Sequence, residues 1–266
     1  MRVPIFQVDA FTKYLFGGNP AAVVILESFL PDQALQAIAA ENNLAETAFL
    51  VRDGADYQIR WFTPVVEVPL CGHATLASAG VIMERLDPGR KTITFRSASG
   101  PLMVRQESDS YVMNFPARKA EPIDAPPKFQ NALGLEPAEV LADPFNYLAV
   151  LENADLVRRL VPMLEYIAQL DRSGLIVTAP GDGAHDFVSR YFAPQKGIPE
   201  DPVTGGAHCA LAPFWAKRLG KTEMLAFQAS RRGGEIFCRV LGDRVELGGQ
   251  CAFFLEGHIE LGTGSI

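Results

Sequence analysis

Arg60-Trp61-Phe62-Thr63-Pro64 returns later in the chain as Arg190-Tyr191-Phe192-Ala193-Pro194, an offset of 130 residues from position 60 to position 190. A second block follows each copy. Gly72-His73-Ala74-Thr75-Leu76-Ala77 aligns with Gly205-Gly206-Ala207-His208-Cys209-Ala210, at an offset of 133 residues from position 72 to position 205. Matched order at a nearly constant offset is typical of an internal repeat. The sequence therefore predicts two structurally similar halves.

Each half continues with a glycine followed by alternating apolar residues. The alternating runs are residues 100–104 and 112–115 in the first half, and residues 234–238 and 245–247 in the second. Short polar turns separate the runs, which is typical of β-hairpins. A proline-rich stretch without apolar periodicity, residues 118–128, predicts the boundary between the halves. We therefore expect an N-terminal lobe of residues 1–120 and a C-terminal lobe of residues 121–266.

Apolar spacing and end signals predict helices at residues 31–42, 72–86, 153–170 and 207–219. Two of them, 72–86 and 207–219, are small and apolar on every face, which is typical of buried helices. One buried helix per half among many short strands predicts an α+β fold. Each half would be a curled, barrel-like sheet around a central helix, with the active site in the cleft between the halves.

Composition limits the classes to which the chain can belong. With 48% hydrophobic and 21% charged residues, the chain can bury a full core. A net charge of −7 argues against nucleic-acid binding, which needs a concentrated basic surface. Neither a bilayer-spanning apolar run nor a signal peptide is recognisable. The four cysteines lack CxxC or zinc-finger spacing, so we expect free thiols and a cytoplasmic protein without membrane partners.

Both buried helices begin at a glycine-bearing turn, Cys71-Gly72-His73 in the first half and Thr204-Gly205-Gly206 in the second. A helix start carries unpaired N–H groups and the positive end of the macrodipole, and glycine lets a ligand approach the backbone. Such a start suits a carboxylate or a developing enolate. Tight turns packed on the sheet are the alternative, but the occurrence of two matched copies favours a binding role.

Candidate acid and base groups occur beside these turns. They are Cys71, His73, Glu200, Asp201 and, between small and apolar residues just ahead of a predicted strand, Glu46. A carboxylate on the apolar side of a cleft has its pKa raised by desolvation, which suits proton transfer near neutral pH. A solvated residue at a strand edge is the alternative for Glu46, and a structural hydrogen-bond donor is the alternative for His73.

Other chemistries have weaker support. A nucleophilic Cys71 with His73 as its base is conceivable, but residues two apart at a helix start are not expected to face each other. His208 and Cys209 lie in an apolar helix and are expected in the core. The histidines form no HxxxH or HExxH pattern, and the sequence has no phosphate loop or dinucleotide fingerprint. We therefore expect neither a metal nor a cofactor.

Several of these motifs together resemble the phenazine-biosynthesis-like family, and they span nearly the whole chain. They are Asp9-Ala10-Phe11-Thr12, Gly17-Gly18-Asn19-Pro20-Ala21, Leu44-Ala45-Glu46-Thr47, Phe62-Thr63-Pro64, Leu70-Cys71-Gly72-His73-Ala74-Thr75, and the run from Ser189 through Thr204-Gly205.

The resemblance implies the diaminopimelate-epimerase-like fold, with two pseudo-symmetric lobes, and a homodimer. It also implies a cofactor-free isomerase that moves a proton to shift a double bond. By resemblance, Glu46 matches the acid/base carboxylate, and His73 and Asp201 match the site histidine and aspartate. The glycines at 72, 205 and 206 match backbone donors.

Two departures from the family pattern bear on mechanism. Gly206 stands where the family often has serine, so one polar contact to substrate is missing. Diaminopimelate epimerase uses a cysteine from each half, whereas Asp201-Pro202-Val203 offers no thiol in the second region.

We therefore expect proton shuttling by Glu46 on a small carboxylate substrate, with Cys71, Gly72, Thr204, Gly205 and Gly206 in substrate binding. An amino-acid racemase or epimerase that pairs Cys71 or Glu46 with Asp201 is one alternative. A metabolite-binding or protein-interaction module that has lost turnover is another.

Overall fold

The computed structural model describes residues 1–262 and divides the chain into two compact units. One unit contains Met1–Asn114 together with the C-terminal segment that starts at Gly248, and the other is Phe115–Leu247. The predicted lobes of 1–120 and 121–266 therefore need correction at the C-terminal end. The last strand, Cys251–Glu260, pairs with the first, Arg2–Ala10, so the end of the chain completes the N-terminal unit.

The first unit is built from strands with a helix in each of two crossovers. Its strands are β1 (Arg2–Ala10), β2 (Asn19–Leu26), β3 (Glu46–Asp53), β4 (Asp56–Phe62), β5 (Glu67–Val68), β6 (Thr92–Ser97), β7 (Gly100–Glu107), β8 (Ser110–Pro116) and β18 (Cys251–Glu260). Its helices are α1 (Asp32–Asn42) and α2 (Gly72–Val81), and a π-helical turn (Ile82–Leu86) extends α2.

The second unit has the same plan with more short helices. Its strands are β9 (Glu121–Pro122), β10 (Glu139–Ala142), β11 (Asn146–Val150), β12 (Gly174–Pro180), β13 (Phe187–Ala193), β14 (Ile198–Asp201), β15 (Glu223–Gln228), β16 (Gly234–Leu241) and β17 (Arg244–Gly249). Its helices are α3 (Phe129–Leu133), α4 (Ala154–Arg159), α5 (Leu164–Ile167) and α6 (Gly205–Leu219), with a 3₁₀ turn at Pro194–Lys196.

Strand pairing confirms the repeat. In the first unit β1–β2 is antiparallel, β2–β3 parallel, β3–β4 antiparallel and β4–β6 parallel. In the second unit β10–β11, β11–β12, β12–β13 and β13–β15 show the same four orientations. The parallel pairs need a crossover, which α1 and α2 supply in the first unit. In the second unit α4 and α5 together form the first crossover, and α6 forms the second.

The predicted helices at 31–42, 72–86 and 207–219 are present with small changes at their ends, but the one at 153–170 is wrong as a single helix. Two short helices, α4 and α5, occupy that segment, and Pro162 lies between them. Proline lacks an N–H and disfavours helical geometry in the preceding residue, so a helix tends to end there.

Each central helix is buried against the sheet of its own unit. Every residue of α2 from His73 to Val81 is buried, and α2 packs on β1, β2, β3 and β18. In the second unit α6 packs on β15 and β16, with Trp215 buried in the core. None of the helices within residues 1–262 has the length and apolar character needed to span a bilayer.

Candidate active site

The backbone register of the first unit fixes the position of Glu46. It is the first residue of β3, which runs parallel to β2 with Glu46 opposite Ala21. The next side chain, Thr47, is buried, and its Oγ1 accepts a hydrogen bond from Nδ2 of Asn42 at the end of α1. The Glu46 side chain is only 13% exposed. The solvated alternative for this carboxylate is therefore not what the structure shows.

Cys71 and His73 face each other at the start of α2, contrary to the sequence-based expectation. Cys71 is the N-cap residue, with an extended backbone, and its Sγ lies 3.5 Å from Nδ1 of His73. The reason is geometric. An N-cap side chain turns back over the second and third helical residues, so positions 71 and 73 become neighbours although they are two apart.

Glu46 and His73 form a close ion pair. Oε2 of Glu46 lies 3.1 Å from Nε2 of His73, whose side chain is 7% exposed. Nε2 of His73 does not meet the geometry of a hydrogen bond, so the contact is described as an ion pair. Catalytic hydrogen bonds are often poorly aligned before substrate binds. At this distance a small movement of either side chain would align the His73 N–H with the Glu46 carboxylate.

The charge state of the three groups follows from burial and proximity. Burial raises the pKa of the Cys71 thiol, and the charge of Glu46 raises it further, so Cys71 is protonated at neutral pH. Burial alone would lower the pKa of His73, but the negative charges available at Cys71 and Glu46 bring it well above its ordinary value. The contacts with Cys71 and Glu46 together therefore favour the protonated form of His73.

Within residues 1–262, the same three residues form a cluster whose ligand atoms lie close enough together to hold a metal ion. Glu46, Cys71 and His73 offer one ligand atom each, all within 4.8 Å of one another. These donor types suit zinc. However, Cys71 is at Nδ1 of His73 and Glu46 is at Nε2, so a metal held by one ring nitrogen would require one of these contacts to be given up. The absence of a metal from the reaction stays a prediction.

In the second unit hydrogen bonds hold the start of α6 to the residues on either side of it. Oγ1 of Thr204 donates to Oδ2 of Asp201 over 2.5 Å, and the Thr204 N–H donates to Oε1 of Gln228 over 2.8 Å. Nε2 of Gln228 in turn donates to the Asp201 carbonyl oxygen over 2.8 Å. Since the Thr204 hydroxyl bonds Asp201, it does not cap the helix. The first turn, which contains Gly205 and Gly206, is left without a side-chain cap.

The structure thus groups the candidates by unit. Glu46, Cys71, Gly72 and His73 lie together in the first unit, and Asp201, Thr204, Gly205 and Gly206 lie together in the second. Gln228 was missed by the sequence reasoning, because its role depends on β15 reaching the start of α6 and no local motif marks it. The prediction of a site in the cleft between the halves stays a prediction.

Two candidates have structural roles. Glu200 makes a two-pronged ion pair with Arg190, with Nε–Oε1 and NH2–Oε2 distances of 2.6 and 2.9 Å. The repeat could have revealed this, because Arg60 and Glu67 in the first unit form the same pair. His208 is fully buried against Phe187, and burial lowers its pKa to about 4, as expected for a core histidine.

Comparison with known proteins shows the family to which the chain belongs. Residues 8–257 match the family model described as phenazine biosynthesis-like protein, and the chain belongs to this family. An uncharacterized isomerase of Pseudomonas aeruginosa is 48% identical over 98% of this chain and 100% of its own length.

Solved structures show the same fold. A phenazine biosynthesis protein from Enterococcus faecalis superposes with a TM-score of 0.95 at 44% identity, covering 98% of this chain and 100% of that one. A structure described as a predicted epimerase from Pseudomonas aeruginosa has a TM-score of 0.74 at 22% identity, with coverage of 98% and 100%. The epimerase-like α+β fold predicted from the sequence is confirmed, and the chain is an enzyme of the isomerase type.

Proposed function

We propose that the enzyme moves a proton on a small carboxylate substrate by acid/base catalysis, without a cofactor. One observation carries the proposal: the largely buried carboxylate of Glu46 lies 3.1 Å from Nε2 of His73. A charge-paired carboxylate shielded from water is a base whose conjugate acid can also give the proton back. Shuttling a proton between two carbons requires both of these states.

In the proposed reaction Glu46 removes a proton from carbon. The C–H bond breaks, its electron pair enters the conjugated system of the substrate as an enolate, and the proton resides on the Glu46 carboxyl. The proton on the carboxyl exchanges with solvent, and the carboxyl then gives a proton to a different carbon of the same system. The double bond moves, no atom is gained or lost, and Glu46 ends as the carboxylate with which it began.

His73 has two roles in this proposal. Its raised pKa favours the positively charged ring, which lies beside the Glu46 carboxylate. Once Glu46 has taken the proton, the same positive charge can stabilise the enolate that forms beside it. Cys71 orients the ring through Nδ1 as a neutral thiol. We propose that Asp201 and the residues at the two helix starts contact the polar groups of the substrate.

The presence of Cys71 beside His73 supports a second candidate, an amino-acid epimerase or racemase. The thiol carries an exchangeable proton 3.5 Å from the His73 ring and so offers a second proton donor. This candidate predicts inversion at one carbon, with solvent isotope at that carbon only. The isomerase proposal predicts a moved double bond. The homodimer and the cytoplasmic location stay predictions.

Deuterium exchange tests the proposal. The enzyme is incubated in D2O with a panel of amino acids and cyclic unsaturated carboxylates, and the compounds are read by mass spectrometry and NMR. Deuterium should enter one compound with wild type, and Glu46→Gln should lower its rate about 100-fold or more. The matched control is Glu27→Gln, an exposed glutamate one residue beyond β2, which should exchange at the wild-type rate.

The outcomes separate the candidates. Deuterium at a new carbon with a moved double bond supports the isomerase, and inversion lost in both Glu46→Gln and Cys71→Ser supports the epimerase. If no compound takes up deuterium while one of them raises the melting temperature, proton transfer is the wrong function.

A further inference from the structure

Arg118 lies beside the start of α6, in a segment that the sequence indicated only as a linker. Its backbone N–H donates to the carbonyl oxygen of Cys209 in α6 over 2.8 Å. Its NH2 lies 3.5 Å from the point that a Cβ on Gly206 would occupy. The guanidinium is therefore anchored next to the first turn of α6, where the proposed substrate-binding residues Gly205 and Gly206 lie.

Within residues 1–262 the Arg118 guanidinium is only loosely engaged. NH1 lies 3.6 Å from Oδ2 of Asp143, and the group stacks over the ring of Phe145 at 5.4 Å. The Asp143 carboxylate already accepts hydrogen bonds from the N–H groups of Phe145 and Asn146 and from the Asn146 amide. Asp143 can thus hold the positive charge of Arg118 in place, while the two parallel N–H donors of the guanidinium, its fork, stay available for a ligand.

Gly206 keeps the space in front of that fork open. The residue is exposed, and the atom nearest to an added Cβ would be NH2 of Arg118. A larger residue here would extend directly toward the guanidinium. The sequence indicated that a serine contact is missing at Gly206. The space left by this missing side chain faces Arg118.

A second cation lies near the same place. Partial burial lowers the pKa of the Lys196 ammonium, and the positive charge of Arg118 lowers it further, while Asp201 and Asp143 act in the opposite direction. Two cations close enough to repel each other favour the arrival of an anion. Of the two, only arginine presents a planar fork that matches a carboxylate with two parallel hydrogen bonds.

We propose that Arg118, through the gap left by Gly206, binds the carboxylate of the substrate and thereby selects carboxylates over their neutral analogues. This inference rests on the proposed function, since it names a specificity-determining residue for that reaction. Arg118 takes no part in proton transfer. Its contribution is the affinity and orientation of the carboxylate, so its loss affects substrate binding before it affects the chemical step.

Binding measured without turnover tests the inference. Glu46→Gln protein is titrated calorimetrically with cyclohex-1-ene-1-carboxylate, benzoate and proline, each beside its primary amide. With Arg118 present, at least one carboxylate should bind about 10- to 100-fold more tightly than its amide. Arg118→Met should remove this preference, and Arg118→Lys should keep only part of it. Arg218→Met is the matched control, because Arg218 also has one carboxylate partner and aromatic contacts.

A second variant keeps the test independent of the Arg118–Asp143 contact. Gly206→Asp places a carboxylate of the protein in the gap and should abolish the preference, whereas the uncharged Gly206→Asn of the same size should weaken both members of a pair alike. If no carboxylate is preferred over its amide, or if the preference survives in Arg118→Met and Gly206→Asp, the inference is overturned. Because binding is measured without turnover, failure of deuterium exchange leaves this result standing.

Discussion

At the residue scale, one histidine of the first unit contacts two acidic groups. Nδ1 of His73 meets the Cys71 thiol and Nε2 meets Glu46, so both ring nitrogens have a partner. Burial disfavours the charged imidazole, but Cys71 and Glu46 together raise the pKa of His73 well above its ordinary value. An imidazolium held next to a carboxylate in a shielded site is a preorganised charge pair. Water would have to reorient to stabilise the same charges.

The raised pKa of His73 predicts a particular pH dependence of stability. Because its folded-state pKa lies above the ordinary value of 6.5, protonation stabilises the fold. This contribution is complete below about pH 6.5 and is lost as the pH rises through the folded-state pKa. Wild type should therefore exceed His73→Gln by about 2 kcal/mol at pH 6, and the difference should shrink in alkali. Urea unfolding at intervals from about pH 6 to 10 measures it.

Histidine NMR provides the internal control. His208, whose pKa burial lowers to about 4, should stay neutral throughout that pH range, whereas the His73 ring should titrate well above 6.5. A stability difference that is flat or grows with pH would contradict the assigned charge state of His73.

The roles of Glu46 and His73 in proton transfer, which sequence motifs indicate, stay predictions at the residue scale. The structure places the two side chains in contact. It also shows the contact between Cys71 and His73 that spacing alone argued against, since the turn of an N-cap residue is not visible in a count of positions. Arg118 escaped notice because its partners, Asp143 and Gly206, are distant in the sequence.

At the element scale, the connection between β1 and β2 positions the strand on which β3 is registered. Gly18 has φ of +60°, and a Cβ there would lie 2.1 Å from the carbonyl oxygen of Ala10. Asn19 follows immediately, is fully buried, and pairs with Ala10 as β2 begins. Two residues later Ala21 lies opposite Glu46, so this tight turn fixes the level of the Glu46 carboxylate in the sheet.

Gly18→Ala should therefore destabilise the first unit strongly. Left-handed strain and overlap with the Ala10 backbone together should cost about 3 kcal/mol in unfolding free energy. Gly54→Ala is the matched control, because Gly54 has φ of +64° but open space around its Cβ position. It should cost about 1 kcal/mol, from strain alone. Chemical denaturation of both variants gives the comparison, and equal losses would show that the Ala10 contact relaxes freely.

Element-scale prediction failed where tertiary contacts overrode a local pattern. The apolar spacing of 153–170 is helical throughout, yet Pro162 ends the first helix. The vacated carbonyl groups of Val157 and Leu160 then accept hydrogen bonds from NH1 of Arg190. Likewise, nothing local indicates that Cys251–Glu260 returns to pair with Arg2–Ala10, because pairing partners far apart in sequence leave no periodic signal.

At the scale of the whole molecule, the repeat extends from sequence to individual ion pairs. Arg60 binds Glu67 through Nε and NH2 at 2.8 and 2.7 Å, and Arg190 binds Glu200 through the same atoms at 2.6 and 2.9 Å. The first pair joins β4 to β5, and the second joins β13 to β14. The two copies differ in environment. The Arg60 and Glu67 side chains are 24% and 41% exposed, and those of Arg190 and Glu200 are 11% and 23% exposed.

This difference predicts unequal costs for equivalent substitutions. Arg190→Met should destabilise the protein by about 3 kcal/mol, because it leaves Glu200 and two helix-end carbonyl groups without their partner. Arg60→Met should cost about 1 kcal/mol, since water can solvate Glu67 in its place. The double variant Arg190→Met/Glu200→Met removes both charges and should recover part of the loss. Urea unfolding of the four proteins, wild type included, measures these differences.

The same series decides whether Glu200 belongs to the chemistry. As a partner of Arg190, its role is structural, so Glu200→Gln should lower stability while the folded protein still exchanges deuterium at a rate close to wild type. Equal costs for Arg190→Met and Arg60→Met would mean that burial does not distinguish the two copies. Loss of exchange in folded Glu200→Gln would return Glu200 to the list of proton-transfer groups and would break the equivalence with Glu67 that the repeat implies.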